Sequence, residues 1–367
     1  MRAIGWDHPR CVGPMLAAAE AWRARTGTAV HWEFRPLDAF NDQPLHELAA
    51  DFDLMIVDHP AVPEAVVHGA LAPLDRLLPS ARLRRLAAAA IGPSGASYRY
   101  AGTTWALAVD AACQVSAWRP ALLDGPPPAT WPDVLALARR EPGRLALPLT
   151  AADALCALQS VAATLGRPLT VGGVVAVEAV AVLAALAPLL DERSWDCSPP
   201  RLMTTMAAGA EIAYVPLIFG YLALAGDDLR FADAPTADDG RQGAVLGGAG
   251  VAVSAASREP VAAARLAAWL CEASTQRDVV LAHGGQPAHS TVWSDPPPSR
   301  HDFFDDTRST MEHAHVRPLH PAWPAFHRAA GADLTAALRA GEPAEAIAAR
   351  LQRRLDALEA AAPAVPA

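Results

Sequence analysis

Two apolar stretches near the N-terminus run directly into the same tripeptide. Asp7-His8-Pro9 follows Ile4-Gly5-Trp6, and Asp58-His59-Pro60 follows Leu54-Met55-Ile56-Val57. Proline has no backbone N–H to give to a ladder, so each stretch reads as a strand that stops cleanly. In an open α/β sheet ligands collect outside the carboxyl ends of strands, where strand order reverses. A polar ending used twice therefore asks for a fold that sets two strand ends side by side at one crevice. Each pair carries an acceptor-only carboxylate and an imidazole that titrates near neutral pH, a combination able to hold hydroxyls, bind a metal or move a proton. One such pair alone reads better as a capped strand end; the repetition brings a site level with that reading.

The residues between the two pairs fit that requirement. Met15, Ala18, Ala19 and Trp22 share one face of a helix expected over 14–25, closed by Gly27. Val30, Trp32 and Phe34 alternate with polar residues, as on a half-exposed edge strand, and 45–50 reads as a short helix. Residues 54–57 are continuously apolar, the mark of a buried parallel strand. A 2-1-3 strand order then makes the first and third strands neighbours and turns both Asp-His pairs toward one crevice.

At 367 residues the chain exceeds one compact core, which predicts two domains or two lobes woven from one chain. Charge, Gly or Pro interrupts every long apolar run, so no membrane-spanning helix is expected. A formal charge of −9 argues against a nucleic-acid partner, which would need clustered Lys and Arg. Arginine-rich stretches such as 82–85 and 350–354 read as solvated helix faces. Cys11, Cys113, Cys156, Cys197 and Cys271 are odd in number and lack CxxC spacing, which favours reduced, buried thiols over disulfides or a structural zinc site. Residues 1–6 enter a strand at once, leaving no room for a leader, so the chain as written reads as cytoplasmic. Removal of a leader would place it in the periplasm or outside the cell.

Further along, 106–112 reads as a strand that crosses between lobes and 113–118 as its continuation. Thr130-Trp131-Pro132-Asp133 is a helix start with Thr130 as N-cap, which makes Trp131 a packing residue. Residues 145–149 are expected as a strand ending at Thr150, 151–190 as helices, 203–209 as a helix, and 212–215 as a strand capped by Pro216, with Tyr214, Phe219 and Tyr221 clustered at its end. Residues 245–254 form a strand holding three glycines, which permits close approach by a ligand or another backbone. Helices are expected over 259–274, 276–282 and 322–361, the last broken at Gly341-Glu342-Pro343. The polar segment 293–321 is too long for an ordinary connection and reads as functional or as a strap across both lobes.

With these pieces in order, the chain resembles the bacterial extracellular solute-binding proteins of ABC importers, in the sugar-binding group that includes maltose-binding protein. The resemblance rests on Leu54 to His59, Gly69-Ala70-Leu71-Ala72-Pro73-Leu74-Asp75, Tyr100 to Asp110 and Pro128 to Asp133. It continues through Met206-Ala207-Ala208-Gly209, Gly247 to Ser254, Gln276, Gly284-Gly285-Gln286-Pro287 and Glu342 to Ile347, and so spans nearly the whole chain.

The resemblance implies an α/β fold of the two-lobe periplasmic-binding-protein type II class with a central cleft. Lobe 1 would comprise 1–108 and 245–300, lobe 2 would comprise 109–244, and 301–367 would be a polar connection and C-terminal helices packing mostly on lobe 2. One wall would carry Trp6, Asp7, His8, Arg10, Asp58 and His59, and the other Thr150, Tyr214, Phe219 and Tyr221. Asp110 would lie near one hinge and Gly247-Gly248 at another. The implied ligand is a small polar solute such as a sugar or polyol, because carboxylates take paired hydroxyls and aromatic rings cover a sugar's apolar face. The implied partners are ABC permease subunits if the protein is exported; a monomer without a cofactor is expected.

The family is exported, whereas this N-terminus shows no leader, so a second reading stays open: a cytoplasmic enzyme or sensor on the same fold. Lobe closure excludes water, as an enzyme also requires. His8 and His59 would then be general acid and base, tuned by Asp7 and Asp58, or would hold a metal with a carboxylate. Other motifs are weaker. His313, His315 and His320 lie in a polar connection, and His289-Ser290 lacks a nucleophile elbow, since Gly92-Pro93-Ser94-Gly95-Ala96 ends in Ala after a helical run. Residues 247–250 lack full dinucleotide spacing and no GxxxxGK[ST] loop is present.

Overall fold

The first strand, β1 (Arg2–Trp6), is paired on both sides by parallel neighbours, β2 (His31–Arg35) and β3 (Leu54–Val57), in the order 2-1-3. Register places Ala3 opposite Leu54 and Ile4 opposite Met55, so β1 and β3 end side by side. These coordinates are a computed structural model that describes residues 1–298 and 301–360. The sheet continues with β4 (Ala106–Asp110), and after a long excursion the chain returns as β8 (Ala249–Val253). That returning strand inserts antiparallel between β3 and β4. The four residues of β3 are at most 1% exposed, and each such side chain stabilises the sheet by roughly 1.5–3 kcal/mol.

The excursion carries a second, antiparallel sheet of β5 (Gln114–Trp118), β6 (Tyr214–Phe219) and β7 (Arg230–Ala232), with β5 in the centre. Helices α2 (Ala151–Thr164), α3 (Val177–Leu186), α4 (Trp323–Arg339) and α5 (Ala344–Ala360) pack beside it, in a chain of contacts from α3 through α5 and α4 to α2. Leu155, Leu158, Leu183, Trp323, Leu334 and Leu351 share one apolar core there. Gly341, at φ 67, supplies the left-handed turn that separates α4 from α5.

The helix after β1, α1 (Pro9–Thr26), begins earlier than its apolar face predicts. Pro9 does not merely end a strand; it opens the helix at N1, where a missing N–H costs nothing. His8 is the N-cap, its Nδ1 accepting from the Arg10 N–H at 3.1 Å. Gly27 closes the helix in the left-handed region, donating to the Arg23 carbonyl at 2.8 Å. Farther on, Thr130 caps its helix, accepting from Asp133 N–H, and Trp131 is buried at 3% exposure.

Two expectations fail. Residues 145–149 form no strand: Leu145 makes single bridges to Leu190 and Tyr214, and the next residues bond irregularly to Tyr214 and Ser194. Pro216 does not cap a strand but lies inside β6, at the point where the β5–β6 register shifts between Val115 and Ala117; an irregular ladder demands no N–H there. The polar segment 293–321, expected to be functional or to cross both lobes, is structured over part of its length. It contains a helix, His301–Glu312, whose Phe303, Phe304 and Met311 are buried in the core, because an amphipathic pattern is hidden among its acids.

Candidate functional site

A cleft of about 220 Å³ opens where β1, β3 and β4 end. The first sheet gives Trp6 and Asp110, the residues flanking its strands give Asp58, Gly247 and Gly248, and the helix that follows β1 gives Arg10. Facing them are Phe219 at the end of β6 and Tyr221 just beyond it, Asp153 and Cys156 on α2, Trp323 and His327 on α4, and Arg317 just ahead of α4. The crevice at a change of strand direction thus exists, and both lobes supply its walls.

Two buried ion pairs line the cleft. Arg10 grips Asp110 bidentately, its Nε donating to Oδ2 at 2.6 Å and its Nη2 to Oδ1. The same guanidinium donates from Nη1 to the Gly220 carbonyl at 3.2 Å and lies 5.2 Å from the centroid of the Tyr221 ring. Arg10 therefore ties the first sheet to the loop beyond β6. Arg317 donates from Nη2 to both oxygens of Asp58 at 2.8 Å, and Asp58 also accepts the His59 backbone N–H at 2.8 Å. Burial opposes ionisation of Asp58, but the Arg317 charge and these hydrogen bonds outweigh it and hold the carboxyl well below the usual range. Both arginines are under 10% exposed, so neither charge is tolerable without its partner.

Asp110 and Gly248 meet where two crossings run together. Gly248 has φ 90, and a Cβ there would sit 2.4 Å from the Asp110 carbonyl oxygen, so only glycine lets the two backbones pass. Gly247 N–H donates to the Ala112 carbonyl at 2.7 Å, and a Cβ on Gly247 would strike the Phe219 ring.

The remaining sequence candidates lie elsewhere. Asp7 is exposed and outside the cleft lining. His8 is half-buried, spends Nδ1 on capping α1, and sets its ring 5.1 Å from that of Tyr221 without lining the cleft; burial and the Arg10 charge lower its pKa. His59 is fully buried behind Asp58, Nδ1 lying 3.3 Å from Oδ1, and burial together with Arg317 pushes its pKa down to about 4. The two imidazoles thus form no acid/base pair facing a solute: one is a cap, the other is walled in by the element that follows it. Tyr214 is a core residue at 0% exposure, its hydroxyl donating to the Pro128 carbonyl at 3.3 Å. It packs into a different apolar cluster from Phe219, which lines the cleft. Thr150 stays off the lining, but its hydroxyl donates to Asp153 Oδ2 at 2.5 Å.

Asp153, Arg317, Trp323 and His327 are lining residues absent from the sequence candidates. The spacing Thr150 to Asp153 at the start of a helix carries a capping-box signal that pointed to Asp153; nothing local marks Arg317. Burial, partly offset by the Thr150 hydroxyl, raises Asp153 to about 6. His327 Nε2 lies 2.9 Å from the Ala152 carbonyl and 3.9 Å from Cys156 Sγ. Burial pushes Cys156 up to about 12 and His327 down to about 4, so thiol and imidazole are both neutral and form no nucleophilic pair. Among the described residues no group of three or more His, Cys, Asp or Glu could hold a metal ion, and no helix is long and apolar enough to cross a membrane.

No curated protein matches the chain. Solved structures do. An ABC transporter solute-binding protein from Thermotoga lettingae, bound with α-D-tagatose, is 17% identical with a TM-score of 0.82 over 98% of each chain. Maltose-bound MalE3 of T. maritima is 16% identical with a TM-score of 0.81 over 98% of this chain and 99% of that one. A solute-binding protein from Agrobacterium radiobacter in complex with ribitol is 16% identical with a TM-score of 0.79 over 98% of each chain. At such identities these likenesses speak for the two-lobe fold alone. The family model described as bacterial extracellular solute-binding protein matches residues 18–301, which supports a place outside the cytoplasm and not the cytoplasmic reading of the N-terminus. On that match over most of its length, the chain belongs to the bacterial extracellular solute-binding protein family.

Proposed function

We propose that the protein captures a small polar solute, a sugar or polyol, in the interlobe cleft and presents it to the permease subunits of an ABC importer, in the periplasm or on the cell surface. The reading takes 1–108 and 245–300 as lobe 1 and 109–244 as lobe 2, with 301–367 packed mainly on lobe 2, and takes the working unit as a monomer. The observation that carries it is the mixed lining: Trp6, Phe219, Tyr221 and Trp323 offer ring surface, while Arg10, Asp58, Asp110 and Arg317 offer charged groups already fixed by each other. Paired charges of this kind present hydrogen-bonding atoms at low cost in reorganisation, and rings cover the apolar face of a sugar. Arg10, which reaches Gly220 across the cleft, would register closure. Solutes bound by the structural relatives, tagatose, maltose and ribitol, fall in the same chemical class.

The test is a thermal-shift and calorimetric screen of sugars and polyols against the purified protein. A cognate solute at a hundred times its Kd should add about 2.7 kcal/mol of stability and be recovered unchanged. Turnover of the solute, or a screen in which Trp6→Ala and Tyr221→Ala leave every observed affinity as it was, would defeat the reading.

A further inference from the structure

We infer that Gln286, which does not line the cleft, is a positioning residue for solute binding: it sets the Tyr221 ring in the cleft wall by fixing the peptide unit that follows it. This rests on the solute-trapping reading of the cleft and adds to it a residue that acts through another.

Tyr221 lies between two planar peptide units, so only its φ and ψ decide where its side chain points. Arg10 holds the unit before it, donating to the Gly220 carbonyl at 3.2 Å. Gln286 holds the unit after it, its Oε1 accepting the Leu222 N–H at 3.2 Å. Between these two grips Tyr221 takes φ −125 and ψ 96, with its ring 5.2 Å from the Arg10 guanidinium carbon and 5.1 Å from the His8 ring. Gln286 is itself anchored at 1% exposure: its Nε2 donates to the Ala111 carbonyl at 2.8 Å, its own carbonyl accepts the Ala111 N–H at 3.2 Å, and Pro287 bridges to Asp110. A carbonyl on one side and an N–H on the other leave the amide a single orientation. One buried side chain therefore joins the crossing at Asp110 and Ala111 to the loop that carries Tyr221. Gln276 is the contrasting case. It is equally buried and fully bonded, but its partners, the Val109, Leu270, Ala288 and His289 backbones, stay within the first sheet and the chain beside it. Gln286 alone of the two reaches a residue next to the cleft wall.

Calorimetry with D-glucose, D-sorbitol and maltose as probes tests this on wild type, Gln286→Met, Tyr221→Ala and the double variant. Methionine keeps the length and volume of the side chain and removes both of its hydrogen bonds. The expected result is a Kd weakened about tenfold by Gln286→Met for at least one probe, and by less than about twofold when the change is added to Tyr221→Ala, because the ring to be positioned is then gone. A residue that only stabilises the fold would lower the melting temperature in both backgrounds and leave Kd as it was. Hydrogen exchange needs no variant and stands if Gln286→Met folds poorly: the wild-type Leu222 amide should be protected about a hundredfold or more over an exposed amide, and an unprotected amide would overturn the grip. Unchanged affinity in Gln286→Met, or the same tenfold loss on top of Tyr221→Ala, would overturn the positioning role and leave solute trapping intact. Failure of the wild type to bind any of the three probes at millimolar concentration would overturn both.

Discussion

Asp7-His8-Pro9 and Asp58-His59-Pro60 are identical in sequence, end adjacent parallel strands, and have opposite fates. In the first, the proline opens an 18-residue helix, the histidine becomes its cap and the aspartate faces water. In the second, the chain enters a three-residue 3-10 turn, His59–Ala61, that runs straight into a further helix, so the histidine is swallowed by the core and the aspartate is left facing the cleft. A 2-1-3 sheet brings the two endings together, but the length and direction of the next element decide which side chain of each tripeptide reaches the cleft. In the first ending that residue is neither Asp nor His but Arg10, one position beyond the repeat. Repetition in sequence marked the place and named one of its groups, Asp58, but not Arg10.

Paired substitutions would break this comparison if it is wrong. The largest difference should separate the two aspartates. Asp58→Ala leaves Arg317 buried and unpaired and should cost about 3–5 kcal/mol in urea denaturation, whereas Asp7→Ala should stay within about 0.5 kcal/mol. Equal costs would mean that Asp58 and Arg317 are not the buried pair described.

The next difference is one of pH. An unfolded imidazole takes up a proton near pH 6.5, while His59 resists until about 4. Between those values the unfolded state binds more protons, so stability is fully present above pH 6.5 and falls as pH drops through the window, by on the order of 3 kcal/mol for a fully buried ring. His327, also held down to about 4, adds to the same slope. His59→Gln should flatten the acid limb of stability against pH more than His8→Gln does; identical limbs would contradict the burial of His59.

Gly248→Ala places a Cβ against the Asp110 carbonyl at a backbone conformation that favours glycine, and should cost about 1–3 kcal/mol, with Gly209→Ala, also at positive φ but in open space, as the milder control. The smallest effect belongs to the first tripeptide again: His8→Ala removes the Nδ1 cap on the Arg10 N–H and should cost about 1 kcal/mol, recovered in part by His8→Ser. Full retention of stability in His8→Ala would mean that the ring is not serving as a cap.

The first sixty residues were readable because they speak in local signals. Continuous apolar runs, one helical face and a terminal Gly identify β1, α1, β2 and β3, and the 2-1-3 order follows from short connections. The capping residues beside Trp131 mark it as a packing residue, and it is buried. Where a signal was not local the reading faltered. Pro216 reads locally as a strand end, since its tolerance inside β6 depends on a register shift in the pairing with β5. Phe303 and Phe304 vanished into a run of acids, although they fill the core.

What the sequence determined by itself is much of the succession of elements and the neighbourhood of the cleft, because propensity, apolar period and capping act over a few residues; the two-lobe class came from the resemblance to a family. Which charges meet was decided only by tertiary structure. Arg10 and Asp110 are 100 residues apart, and Arg317 and Asp58 are 259 apart. A buried charge is acceptable only beside its partner, and no local pattern records which distant partner the fold will deliver.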